Sequence, residues 1–181
     1  MKGFIKWVKF KGWFIFDLPY FIKNNNFKQG LELGAKGGRS IYYMLKINPK
    51  LYLTGVDLWE VIEGSAYKNN NKNEQKCKHK LRRFKKRDTL IKGDAMQIEK
   101  NFSNEQFDFI FYDIKCDIMK DRHQEMFSMC LKKIKKGGVL IGRDFKWLRQ
   151  EFYNLGYKEE DIKKCKIGKR TSERLEFLTV K

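Results

Sequence analysis

The sequence predicts an α/β domain, a mostly parallel sheet with helices on both faces. Three observations carry this. Apolar runs of strand length alternate with segments of helical periodicity along most of the 181 residues. The first such run opens the stretch Leu31 to Ser40, LELGAKGGRS, where an acid, three glycines and a hydroxyl residue follow in close order. The carboxyl ends of all five central runs carry an acid: Glu32, Asp57, Asp94, Asp113 and Asp144. Ligands of open parallel sheets sit at those ends. A single Asp there often caps the next helix, but five in succession point to a binding edge.

The chain is long enough for a sizeable core. Its net charge is +18, and Lys outnumbers Arg by 31 to 9. Asn runs accompany this bias, at 24–26 and 69–71. The combination fits an AT-rich genome as well as selection for polyanions, so charge alone does not assign nucleic acid. Four scattered cysteines (Cys77, Cys116, Cys130, Cys165) form no C-x-x-C pair, which argues against a zinc ribbon and for reduced cytosolic thiols. The expected localisation is cytoplasmic. No transmembrane span is read. The run from Gly12 to Ile22 is broken by Asp17 and Pro19 and lacks a small-residue cleavage site, so it is not read as a signal peptide. Its basic and aromatic residues interleave, which admits a membrane-surface reading. The favoured reading is a helix that docks on the sheet or over the ligand.

In chain order, residues 13–23 read as a short helix interrupted at Pro19, and 29–34 as the first strand. Residues 40–47 form a helix, with Ile41, Met44 and Leu45 at helical spacing. The second strand is 51–57. A loop over 58–73 ends in a polar Asn/Lys tract, and 74–87 form a very basic helix with Cys77, Leu81 and Phe84 on one face. The third strand is 89–92, the fourth 107–113. A helix over about 121–135 is stopped by Gly137-Gly138, which open the fifth strand, 139–142. Residues 147–154 are helical, and 161–167 and 175–180 are weaker strand candidates. No linker appears, so 1–181 reads as one domain. Its parts are an N-terminal docking region (1–28), a ligand-binding core (29–145) and a C-terminal helix with the last strands (146–181).

The turn after the first strand offers bare backbone N–H groups and the positive end of a helix dipole. Asp57 lies 23 residues after Gly34, at the end of the second strand, where an acid suits a ribose diol. An adenosine-containing ligand is therefore expected. A dinucleotide fingerprint is absent: the register Gly34, Ala35, Lys36, Gly37, Gly38 puts Lys36 at the middle glycine and lacks the third. No phosphate-binding P-loop pattern occurs either.

The stretch resembles motif I of the S-adenosylmethionine-dependent methyltransferases of Rossmann-like fold, E-x-G-x-x-x-G-x-S, matched by Glu32, Gly34, Gly38 and Ser40. The resemblance runs from about Leu31 to Phe145. It implies a three-layer sandwich with a seven-stranded, mostly parallel sheet whose tail supplies the sixth and seventh strands, with 175–180 the antiparallel last strand. It implies S-adenosyl-L-methionine as cofactor. Glu32 and Gly34 shape the loop around the methionine moiety, Asp57 takes the ribose hydroxyls, and Asp94 faces the adenine amino group with Ala95 beside the ring; Gly38, Ser40, Leu58 and Asp113 complete the implied cofactor-binding set. Asp113 closes the fourth strand, where the methyl group passes. The nearest pattern is that of small-molecule and sugar O-methyltransferases.

Some O-methyltransferases of this kind hold a divalent metal with one Asp after the fourth strand and an Asp-Asn or Asp-Asp pair after the fifth. Asp113 and Asp144 fall on the first two positions, but Phe145 occupies the third and cannot ligate. The Lys or His expected three residues after the first Asp is Cys116, with Lys115 one step early. A metal-free site is therefore expected, with Asp113 and Asp144 the sole metal candidates. A hydroxyl acceptor must lose its proton, and Asp113, Lys115 and Asp144 are the catalytic candidates.

His79 and His123 are read as surface residues. The basic segment 68–87 could bind phosphates, but it offers few stacking aromatics and reads better as a solvated face. The favoured function is O-methylation of a small molecule or saccharide. One alternative is an RNA methyltransferase using the basic segment, against which no NPPY-like tetrapeptide follows the fourth strand. The other is a non-catalytic S-adenosylmethionine-binding module.

Overall fold

The structure, a computed structural model, describes residues 17–60, 71–84, 86–114, 122–143, 145, 148–167 and 170–181. Seven strands form one sheet: β1 (Gln29–Leu33), β2 (Tyr52–Asp57), β3 (Asp88–Lys92), β4 (Phe107–Tyr112), β5 (Ile134–Arg143), β6 (Ile162–Ile167) and β7 (Arg170–Thr179). Their order is β3-β2-β1-β4-β5-β7-β6. β1 to β5 are mutually parallel. β7 runs antiparallel to both β5 and β6, so β6 points the same way as the first five strands. β7, the last strand, is the reversed one, as the resemblance implied.

The helices are α1 (Asp17–Asn24), α2 (Arg39–Ile47), α3 (Asn71–Leu81), α4 (Ile98–Asn101), α5 (His123–Lys133) and α6 (Arg149–Asn154). They bury two apolar layers against the sheet. On one face Leu18, Phe21 and Ile22 of α1, Ile41, Met44 and Leu45 of α2, and Cys77 and Leu81 of α3 pack against Leu53, Phe109, Phe111, Val139 and Ile141. On the other, Met126, Phe127, Met129 and Cys130 of α5 and Phe152 of α6 cover Leu31, Leu33, Val56, Ile110, Tyr112 and Leu140. Central strands covered on both faces read as near-continuous apolar runs, as FDFIFY in β4 does.

Several boundaries differ from the sequence expectation. Pro19 does not interrupt α1, because it lies in the first turn, where a missing N–H costs nothing; residues 13–16 lie outside the described residues. α3 starts at Asn71, inside the polar tract, and gives way to a 3₁₀ turn at Arg82–Phe84. Cys77, Leu81 and Phe84 are buried as expected. Gly137-Gly138 do not end the preceding helix. Ile134 does, by turning extended, and β5 starts there. The glycine pair sits inside β5 as an irregularity: Phe107 pairs with Ile134, but Phe109 with Val139. Gly137 takes φ +79°, and a Cβ on Gly138 would lie 2.6 Å from the Asp108 carbonyl oxygen. β7 begins at Arg170, five residues before the apolar pattern shows it.

Two side chains stitch strand and helix ends. The Asp108 carboxylate accepts from the Lys28 and Gln29 N–H groups and from Lys135 Nζ, tying the start of β1 to β4 and β5. The Arg87 guanidinium donates to the carbonyls of Leu45, Asn48 and Leu51, which satisfies the end of α2.

Candidate active site

β1 delivers Glu32 to the α2 side of the sheet, because side chains alternate and Leu31 and Leu33 face the other way. Glu32 is buried, and its Oε1 accepts from Ser40 Oγ at 2.5 Å. Its Oε2 is buried without a hydrogen-bond partner. Between the two lies the turn. Gly34 has φ +93°, and a Cβ there would meet the Asp113 carbonyl oxygen at 2.8 Å. Gly38 has φ +64° at the start of α2, and a Cβ there would lie 2.6 Å from Cys77 Sγ. These two positions need glycine because the end of β4 and helix α3 come too close for a side chain.

Asp57 holds the turn from the neighbouring strand. Its Oδ2 accepts from Lys36 N–H at 2.7 Å and its Oδ1 from Trp59 N–H at 2.8 Å. Trp59 is buried at φ +46° and donates Nε1–H to the Lys36 carbonyl at 2.6 Å. Lys36 itself has φ +44°, so the middle of the turn is wound left-handed and pinned at both its N–H and its carbonyl. Leu58, between Asp57 and Trp59, is half-buried. The Asp57 carbonyl accepts from Gly93 N–H at 3.0 Å, which brings the Gly93-Asp94-Ala95 triplet beside β2. Asp94 caps the following turn through Met96 N–H at 2.9 Å, and Ala95 is buried.

Glu32, Asp57 and Asp113 converge on one edge. Burial pushes the Glu32 carboxyl well above the usual carboxylate range, the Ser40 hydrogen bond opposes this, and the charges of Asp113 and Asp57 push it further up. A carboxyl that binds protons more readily folded than unfolded makes stability fall as pH rises from the ordinary value near 4.5 through the raised folded one. Glu32→Gln should therefore flatten that fall and raise the melting temperature at pH 7, by about 2–4 °C per kcal/mol gained. Thermal unfolding of both proteins between pH 4 and 8 checks this; a variant melting below the wild type at pH 7 contradicts it.

Arg143, which the sequence reading did not single out, is the positive group beside Asp113. Arg143 Nη2 lies 2.7 Å from Asp113 Oδ1. Tyr112 pairs with Gly142 in the parallel ladder, so the next residues on each strand, Asp113 and Arg143, fall side by side on the same face. That neighbour relation was readable once β4 and β5 were taken as adjacent. Lys115 and Asp144, the other two catalytic candidates, and Cys116 lie outside the described residues. Among the described residues no group of three or more His, Cys, Asp or Glu side chains is placed to hold a metal ion.

Two expectations need correction. His123 is buried, not a surface residue, and its Nδ1 lies 2.9 Å from Tyr112 Oη on the α5 side of the sheet. A polar tip at the end of β4 allows a histidine on an otherwise apolar helix face. His79 is exposed, as expected. The basic helix α3 is also more than a solvated face: Lys80 Nζ donates to the Gly37 carbonyl at 2.7 Å, and Cys77 abuts Gly38. Burial pushes the Lys80 ammonium below its ordinary pKa.

With the turn, its glycines and the acids in place, comparison with known proteins decides the family. The model of the family described as Methyltransferase domain matches residues 31–145, more than half of the chain. The chain belongs to this methyltransferase family. No curated protein matches its sequence. Solved structures do match its fold. The O-methyltransferase TomG of Streptomyces achromogenes, involved in tomaymycin synthesis and solved in complex with SAM, is 17% identical with a TM-score of 0.64. That match covers 91% of this chain and 78% of TomG. An O-methyltransferase from Bacillus cereus, in complex with SAH, is 18% identical with a TM-score of 0.63, over 91% of this chain and 79% of that one. A Staphylococcus aureus protein described as a candidate caffeoyl-CoA O-methyltransferase is 18% identical with a TM-score of 0.63, over 91% and 82%. At such identities the likeness establishes the Rossmann-like fold. No helix among the described residues is long and apolar enough to cross a membrane.

Proposed function

We propose that this methyltransferase uses S-adenosyl-L-methionine to methylate a hydroxyl of a small molecule or saccharide. The observation that carries the reading is the buried Glu32 carboxylate under the glycine turn. It has one oxygen unpartnered, with the Asp57 and Asp113 carboxylates close enough to raise its pKa. An acidic, partly dry edge beside a turn that excludes side chains suits a cationic nucleoside. In this reading Glu32 and Gly34 hold the amino-acid end, Asp57 the ribose, and Asp94 and Ala95 the adenine, with Gly38, Ser40 and Leu58 also lining the cofactor.

S-adenosylmethionine supplies an activated methyl group on a sulfonium. The chain's share is alignment and handling of the acceptor proton. Asp113, whose carboxylate lies 2.7 Å from Arg143 Nη2, is the candidate this reading favours; Lys115 and Asp144 remain candidates from sequence.

The test is ligand binding. S-adenosylhomocysteine at a hundredfold excess over its dissociation constant should stabilise the fold by about 2.7 kcal/mol, and NAD should not. Calorimetry showing NAD binding without S-adenosylhomocysteine binding sinks the proposal. Methyl transfer from labelled S-adenosylmethionine to a panel of catechols and sugars then separates an enzyme from a binding module.

A further inference from the structure

We infer that Arg143 is a positioning residue which takes the place of a metal ion at Asp113. The inference deepens the methyltransferase reading and rests on it. Three acids, Glu32, Asp57 and Asp113, influence one another at the carboxyl edge of the sheet. Carboxylates so gathered need a compensating cation. A divalent ion is one solution, and the described residues at this edge do not fit it. Asp113 Oδ1 is already engaged by Arg143 Nη2 at 2.7 Å, so an ion on that carboxylate would sit against a guanidinium that cannot lose its proton. Phe145, where a further oxygen ligand would be needed, is fully buried between Phe127 and Phe152, with ring centroids at 5.8 and 4.8 Å.

The arrangement is built into the backbone. A Cβ on Gly142 would lie 1.7 Å from the Phe145 ring, so the residue before Arg143 is bare where the ring folds back onto β5. That packing fixes the end of β5, and the β4–β5 register fixes Arg143 beside Asp113. A guanidinium offers a planar fork of donors in fixed geometry, which orients the carboxylate as well as neutralising it. Asp113 is thereby held and aimed without an ion that must be recruited.

The test uses Mn²⁺ as probe, titrated by calorimetry into the full chain. Wild type, Arg143→Lys and Asp113→Asn should show the same negligible Mn²⁺ binding. Arg143→Gln removes the guanidinium from Asp113 and should bind Mn²⁺ roughly tenfold tighter than wild type, because a like charge beside the ligand has gone. Adding Asp113→Asn to Arg143→Gln should abolish the gain. Wild-type Mn²⁺ binding that Asp113→Asn removes would overturn the inference, as would a folded Arg143→Gln protein with no gain. Should Arg143→Gln fail to fold, the comparison of wild type with Asp113→Asn still decides. S-adenosylhomocysteine binding by the wild type is measured alongside. Its absence counts against the methyltransferase reading, whereas the Mn²⁺ series bears on Arg143 alone.

Discussion

Asp57→Ala is expected to lower the affinity for S-adenosylhomocysteine by roughly 10- to 150-fold, the equivalent of about 1.5–3 kcal/mol for a lost charged acceptor. The structure adds a reason beyond the ribose. The Asp57 carboxylate accepts from Lys36 N–H in the turn and from Trp59 N–H after β2. Removing it leaves both donors without that partner and releases a turn whose left-handed Lys36 is otherwise pinned at its N–H. Asp57→Asn keeps one oxygen and should fall between the two. Isothermal titration of the three proteins measures this. Unchanged affinity in Asp57→Ala would remove the residue from the ligand site.

Gly34→Ala is expected to be strongly destabilising. The added Cβ meets the Asp113 carbonyl oxygen at 2.8 Å and its carbon at 3.0 Å, and φ is +93°. Neither strand can yield easily. Gly34 N–H is bonded to the Val56 carbonyl at 2.9 Å, and Asp113 N–H to the Leu33 carbonyl at 3.0 Å. Backbone strain of about 1–2 kcal/mol and overpacking of about 1–3 kcal/mol add to roughly 3 kcal/mol, or a fall of about 10 °C in melting temperature for a chain of this size. Gly37→Ala is the control. Its Cβ would meet nothing within 4 Å, so stability should change by less than about 0.5 kcal/mol. Equal melting temperatures for the two variants would mean that the close approach of β4 to the turn is not as drawn.

The sequence determined the order of strands and helices, the turn and the acids at the strand ends. Each is a local property: apolar period, a glycine where side chains cannot fit, an acid after an apolar run. Family membership followed from the same stretch, since the matched residues 31–145 begin and end where the resemblance was read. Tertiary structure decided what no local pattern encodes. Asp57 spends its carboxylate on the glycine turn because β1 and β2 are neighbours and Lys36 is wound back toward β2. His123 is buried because the end of β4 gives it a tyrosine hydroxyl, although its own segment is polar. Lys80 leaves the solvated face of a basic helix because α3 packs on the turn, close enough to require Gly38. Arg143, one among 40 basic residues in the sequence, becomes the partner of Asp113 through parallel register alone. Charge pairs across a sheet depend on which strands are adjacent and in what register, and a single residue of slip sends every side chain to the opposite face.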